Sequence, residues 1–98
     1  MEGVRELPPL LPFDVEETIS SCLPGKELNL RFAGEGMDSV AWIAAEDWIF
    51  RFPKFGDVSE NLDKEVELLP KISSMVDIAL PHFEHVGKVK GRTFVGYR

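Results

Sequence analysis

Three groups of residues in this 98-residue chain have types and spacing that could do chemistry. The first is the run Gly34-Glu35-Gly36-Met37-Asp38-Ser39. A glycine-containing turn between two strands lets backbone N–H groups approach phosphate oxygens, because no side chain stands in the way. The Ser39 hydroxyl would add one more donor. The run is neither a Walker loop nor a full G-x-G-x-x-G, since Ser39 stands where the last glycine would be, and by itself it reads first as a plain hairpin turn. The second is Arg51, a fixed charge in a segment otherwise made of Trp48, Ile49, Phe50 and Phe52. Such a charge either meets an anion, a carboxylate or a phosphate, or points outward into water. Lys54, beyond Pro53, could compete for a phosphate but falls outside the strand and reads as a surface residue. The third is Glu65, three residues after Leu62 and one before Val66, which places it at the border of an apolar helix face within reach of a cation on an adjacent sheet. Glu60 and Glu67 read as solvated acids of the same helix.

Positioning these groups requires a particular set of elements. Asp14 and Glu17 have capping-box spacing, and Val15, Ile19 and Cys22 recur at i, i+4 and i+7, which predicts a short helix ended by Pro24-Gly25. Leu28, Leu30 and Phe32 alternate with polar neighbours and predict a strand over 27–33; the glycine run breaks it, and Val40 to Ala44 resumes as a second strand. After a turn at Glu46-Asp47, Trp48 to Phe52 forms a third strand stopped by Pro53. Asp57 and Glu60 have capping-box spacing, with Ser59 as a competing cap, and Leu62, Val66, Leu69 and Ile72 share one face of a second helix. Pro70 removes a backbone donor and predicts a kink or restart near Leu69. Beyond Leu80-Pro81, strands over 82–89 and 92–97 are joined by a tight turn at Lys90-Gly91. Three strands with tight connections form an antiparallel meander. The fold class is α+β: a five-stranded antiparallel sheet with a packed helix, preceded by a short N-terminal helix. Residues 1–26 make up a tail and that helix, and residues 27–98 the sheet-bearing lobe.

Bulk properties narrow the functional classes. A chain of 98 residues forms one domain with a modest core, and a hydrophobic fraction of 44% is too high for a disordered segment. A net charge of −6, with acids spread along the chain, argues against a nucleic-acid surface, which needs a basic stripe. No apolar run approaches the roughly 20 residues of a membrane span, and the proline-broken N-terminus lacks an export pattern. The lone Cys22 excludes an internal disulfide and fits a reducing cytoplasm. It reads as a small apolar residue on a helix face, with a reactive thiol as the alternative.

The order of the three groups is more telling than any one of them. A glycine loop between strands one and two, a cation in strand three and an acid on the following helix describe the small lobe of a protein-kinase-like fold, where the loop covers phosphates, the cation holds them and the acid orients the cation. Gly34 to Val40, Trp48 to Lys54 and Glu65 to Ile72 resemble the aminoglycoside phosphotransferase family, nearest the branch that modifies the 2″-hydroxyl. Leu80-Pro81, Val86-Gly87 and Phe94-Val95-Gly96-Tyr97 continue the resemblance, which extends from Glu27 to Arg98.

That resemblance implies an N-terminal lobe that binds ATP or GTP, with magnesium in the full-length family enzymes. It assigns nucleotide positioning to Gly34, Glu35, Gly36, Met37, Asp38 and Ser39, the roof of the base pocket to Ile49, and phosphate contact to Arg51. Glu65 becomes the ion-pair partner of Arg51, and Tyr97 the gate at the inter-lobe hinge, with an influence on the choice between ATP and GTP. Many family members carry lysine where this chain has Arg51. Relatives with the same lobe phosphorylate choline, homoserine and other small alcohols, so antibiotic resistance is one implied role among several. In the family the catalytic base, the magnesium ligands and the acceptor site lie in a large C-terminal lobe. No His-Gly-Asp or Asp-Phe-Gly segment occurs in these 98 residues, and His82 and His85 match nothing catalytic. The expectation is therefore a lobe with no catalytic residue and no metal ligand of its own, inactive in phosphoryl transfer alone. Its partners would be a nucleoside triphosphate and either the missing lobe or a second copy. The alternatives are a free-standing, non-enzymatic binding or association module derived from such a lobe, and an unrelated small α+β domain.

Overall fold

The computed structural model describes residues 6–73 and 83–98, with the side chains of 69–73 left aside. The elements run α1 (Pro12–Cys22), β1 (Arg31–Glu35), β2 (Ser39–Ala44), β3 (Trp48–Pro53), α2 (Gly56–Ser73), β4 (His85–Val89) and β5 (Arg92–Tyr97). The strands form one antiparallel sheet in the order β1-β2-β3-β5-β4. The α+β architecture expected from the residue pattern is the one observed.

Strand alternation divides the sheet into two faces. Trp48, Phe50 and Phe52 of β3, with Phe94 of β5 and Ala44 of β2, point to one face and are buried there beneath Val15 and Ile19 of α1 and the following Leu23. Arg51 and Ile49 point to the other face, as do Ala41 opposite Arg51 and Tyr97 opposite Ile49. That second face carries α2, tied to β5 by two side-chain bonds. The Ser59 hydroxyl accepts from the Thr93 N–H at 2.9 Å, and the Thr93 hydroxyl donates to Asp63. Each face of the sheet is therefore covered by one helix, and both helices work to hold β3 and β5 between them.

Several boundaries differ from the residue pattern for identifiable reasons. The first strand begins at Arg31 rather than Glu27, because Asn29 adopts a left-handed φ of 43° and turns the chain before pairing starts. Leu28 and Leu30 still pack against the core, from irregular backbone rather than from a strand. Gly34 and Glu35 belong to β1, so the turn itself is confined to residues 36–38. In α1 the N-cap is Leu11 and Pro12 occupies the first turn; Asp14, expected to be the cap, lies three residues in, and its carboxylate accepts from the Leu11 N–H at 2.9 Å. α2 starts at Gly56, ahead of Asp57, and Ser59 spends its hydroxyl on β5 instead of capping. The helix also passes Pro70 without interruption to Ser73. A proline in the last turn forfeits one backbone bond, and the three residues beyond it complete that turn. β3 includes Pro53, and β2 includes Ser39. β4 begins at His85; Leu80, Pro81 and His82 lie outside the described residues, as do the side chains of Leu69 and Ile72. The Lys90-Gly91 turn is as expected, with positive φ at both positions, the geometry whose twist matches a two-residue hairpin.

Candidate nucleotide site

The cleft on the α2 side of the sheet is built from three directions. From above, the end of β1 and the start of β2 contribute the glycine run; from the sheet floor come Ala41 and Arg51; from α2 come Val58, Asn61, Leu62 and Glu65. Together they enclose about 850 Å³, lined by Gly34, Glu35, Gly36, Met37, Asp38, Ser39, Arg51 and Glu65 among others. Three groups that lie up to 31 positions apart in sequence thus meet in one cavity.

The loop is short and closed by backbone bonds. The Gly36 N–H donates to the Ser39 carbonyl at 2.9 Å, and the Lys54 N–H donates to the Asp38 carbonyl at 2.8 Å. A methyl group placed on Gly36 would come no closer than 4.0 Å to any neighbour, and Met37 is 89% exposed, so the loop's cleft side is open for a ligand. A register shift between Phe32 and Gly34 makes Ala33 an extra residue on β1. This bulge leaves Gly34 opposite Ala41, on the cleft face, and Glu35 opposite Val40, on the α1 face.

Arg51 is half-buried in the sheet floor and its guanidinium lies 4.0 Å from the Glu65 carboxylate. At that length the pair is an ion pair without a hydrogen bond, and both side chains are substantially open to water, so the contact orients the guanidinium more than it stabilises the fold. The fork of donors remains at the cleft, opposite the loop. Ile49 and Tyr97 are cross-strand partners on the same sheet face, two residues further along β3 and β5 from Arg51 and Val95, and outside the lining of this cleft.

Lys54 departs from its reading as a surface residue. Its Nζ donates to the Glu35 Oε2 at 2.6 Å and to the Gly36 carbonyl at 3.0 Å. It is one of the residues of the loop's framework that sequence reasoning missed. The only available signal was its place just past the strand-ending Pro53, which carries no information about a partner 18 positions upstream. Cys22 packs half-buried against the core, and burial pushes its thiol pKa up, as expected of an apolar position rather than a reactive one. His85 stacks on Phe50 and lies against Trp48, an aromatic role at the core's edge. Among the described residues no helix is long and apolar enough to cross a membrane.

Fold and cleft together define a class: the N-terminal lobe of a kinase-like fold. No protein-family model matches the sequence, and no curated protein does. Solved structures do. The GDP and kanamycin complex of APH(2″)-IIIa superposes with a TM-score of 0.71 at 34% identity, over 86% of this chain and 29% of that one. The GDP complex of wild-type aminoglycoside 2′-phosphotransferase-IIIa, and that of a point mutant, give a TM-score of 0.70 at 34% identity, over 87% of this chain and 30% of theirs. The chain thus has the N-terminal-lobe fold of the aminoglycoside phosphotransferase family, and it spans about 30% of the length of those structures.

Proposed function

We propose that the chain is the nucleotide-binding lobe of an ATP- or GTP-dependent small-molecule phosphotransferase. The observation that carries this reading is the convergence of the glycine run, Arg51 and Glu65 on one cleft. The similar structures are complexes with GDP, which supports a guanine nucleotide as the first ligand to try.

In this reading the phosphates lie between the 34–39 run and Arg51. Backbone N–H groups and the Ser39 hydroxyl donate from one side, and the planar guanidinium from the other. Glu65 aims the guanidinium. Ile49 and Tyr97, further along the same face, would contact the base. Magnesium would enter on the phosphates, where it neutralises their charge. Among the described residues no group of three His, Cys, Asp or Glu side chains is placed to hold a metal ion. The base that accepts the acceptor alcohol's proton is likewise assigned to residues outside these 98.

Titration of the chain with a fluorescent GDP analogue, with Mg-ATP as competitor, tests the reading. Saturable binding is expected, weakened about 10- to 100-fold in Arg51→Ala, the loss of a charge-assisted phosphate contact, and less in Glu65→Gln. No binding, or an Arg51→Ala variant equal to wild type, overturns it. The 98 residues alone are expected to transfer no phosphoryl group, and magnesium-dependent phosphorylation of an aminoglycoside by this chain would refute that.

A further inference from the structure

β3 does not simply stop at Pro53. Its last carbonyls and the following residue form a junction where three segments are tied together. The Pro53 carbonyl and the Pro8 carbonyl both accept from the buried Arg92 guanidinium of β5. The Lys54 carbonyl accepts from the Leu7 N–H at 3.0 Å, so the N-terminal segment lies along the end of β3, and Glu6 bridges to Phe55 just beyond. Against this fixed base Lys54 makes three bonds to the glycine run: its N–H to the Asp38 carbonyl at 2.8 Å, and its Nζ to the Gly36 carbonyl and the Glu35 carboxylate at 3.0 Å and 2.6 Å.

We propose that Lys54 is the positioning residue of the nucleotide loop, fastening it from the face opposite the ligand. This rests on the nucleotide reading of the cleft. The geometry separates the roles of the two cations at this end of the sheet, Arg51 within β3 and Lys54 just past it. Arg51 lies on the cleft face, while Glu35 and Lys54 meet on the α1 side. The Lys54 charge is matched by Glu35, so it acts on the loop's carbonyl framework and leaves phosphate contact to Arg51. A loop as exposed as Met37 loses conformational freedom when it closes over a ligand, and fastening both of its arms in advance lowers that cost. The N-terminal segment and Arg92 matter to the site through the same junction, because they fix the backbone from which Lys54 reaches.

The test compares Lys54→Met and Lys54→Arg with wild type in three measurements: GDP-analogue affinity, melting temperature, and amide hydrogen exchange of the apo chain at Gly36 and residue 54, whose N–H groups close the loop. Lys54→Met is expected to bind nucleotide about tenfold more weakly, the loss of bonds to a charged group, with exchange at Gly36 faster by a similar factor and the melting temperature little changed. Lys54→Arg is expected to recover most of both. Wild-type affinity together with wild-type exchange at Gly36 in Lys54→Met overturns the proposal. If wild type binds no nucleotide, the functional reading falls, and the exchange rates alone decide whether Lys54 holds the loop. Should Lys54→Met unfold, Glu35→Gln decides instead: it keeps every backbone bond of the junction, and unaltered exchange at Gly36 in that variant would sink the proposal.

Discussion

Arginine at position 51 is chemically distinct from a lysine in the same place. A guanidinium stays charged at every accessible pH and presents donors in a plane, so one edge can face Glu65 while another faces the cleft. Asp14 is a charge with the opposite task. Lys90 donates to its carboxylate at 2.8 Å and the Leu11 N–H at 2.9 Å, and these bonds, the Lys90 bond foremost, hold its pKa below the ordinary 3.8 despite desolvation acting the other way. A carboxyl depressed on folding contributes stability that is complete above its unfolded pKa and is lost as pH falls through the lower folded value. The stability gap between wild type and Asp14→Asn is therefore expected to be constant from neutrality down to about pH 5, then to close below 3.8, as thermal unfolding between pH 5 and 2 would show. Both roles differ in how far they could be read from sequence. Arg51 was legible because a fixed charge among aromatic residues demands an explanation in its own segment. The roles of Asp14 and Lys54 depend on partners 76 and 18 or 19 positions away, which no local pattern encodes.

At the scale of elements, β5 is the strand most constrained by its neighbours. It lies between β3 and β4, with α2 bonded to one face and Phe50 and Phe94 packed on the other. Gly96 sits where a methyl group would fall 2.4 Å from the ring of Phe50, which is fully buried and has no room to retreat. Gly96→Ala is expected to cost about 1–3 kcal/mol, the usual penalty of overpacking, and to lower the urea midpoint without altering the slope. The strands were legible because their alternation is regular and their turns carry recognisable residues, Lys90-Gly91 above all. β1 was misplaced because Leu28 and Leu30 supply the alternation of a strand while Asn29 turns the backbone out of one. Pro70 does not make the helix restart, for a related reason. The residue pattern gives the proline but not its position relative to the end of the helix, and only the latter decides whether it breaks anything.

For the whole molecule, the main consequence concerns residues 12–23. The pattern marks this stretch as a short helix in front of a lobe, and nothing in it says how much of the core it covers. Val15, Ile19 and Leu23 are all buried against Trp48, Phe50, Phe52 and Phe94. At about 1.5–3 kcal/mol for each fully buried aliphatic side chain, their sum is comparable with the roughly 5–15 kcal/mol that holds a small domain folded. A chain shortened to residues 27–98 is therefore expected to lose fixed tertiary packing. Near-ultraviolet circular dichroism should collapse while ANS fluorescence rises, and a sharp, native-like spectrum from that fragment would contradict the account.

The extra residue at Ala33 has a consequence for how such a sequence can vary. Surface turns usually accept insertions and deletions freely. Here a deletion fits one step before the turn as well, because side chains alternate with a period of two and Ala33 is the one residue of the strand without a partner in the ladder. Removing Ala33 would pair Phe32, Gly34 and Glu35 in unbroken succession with Trp42, Ala41 and Val40, leaving Gly34 on the cleft face and Glu35 beside Lys54. β1 in this sense carries one spare residue, whose loss would relax the bend of the strand and leave the polarity of the mouth unchanged.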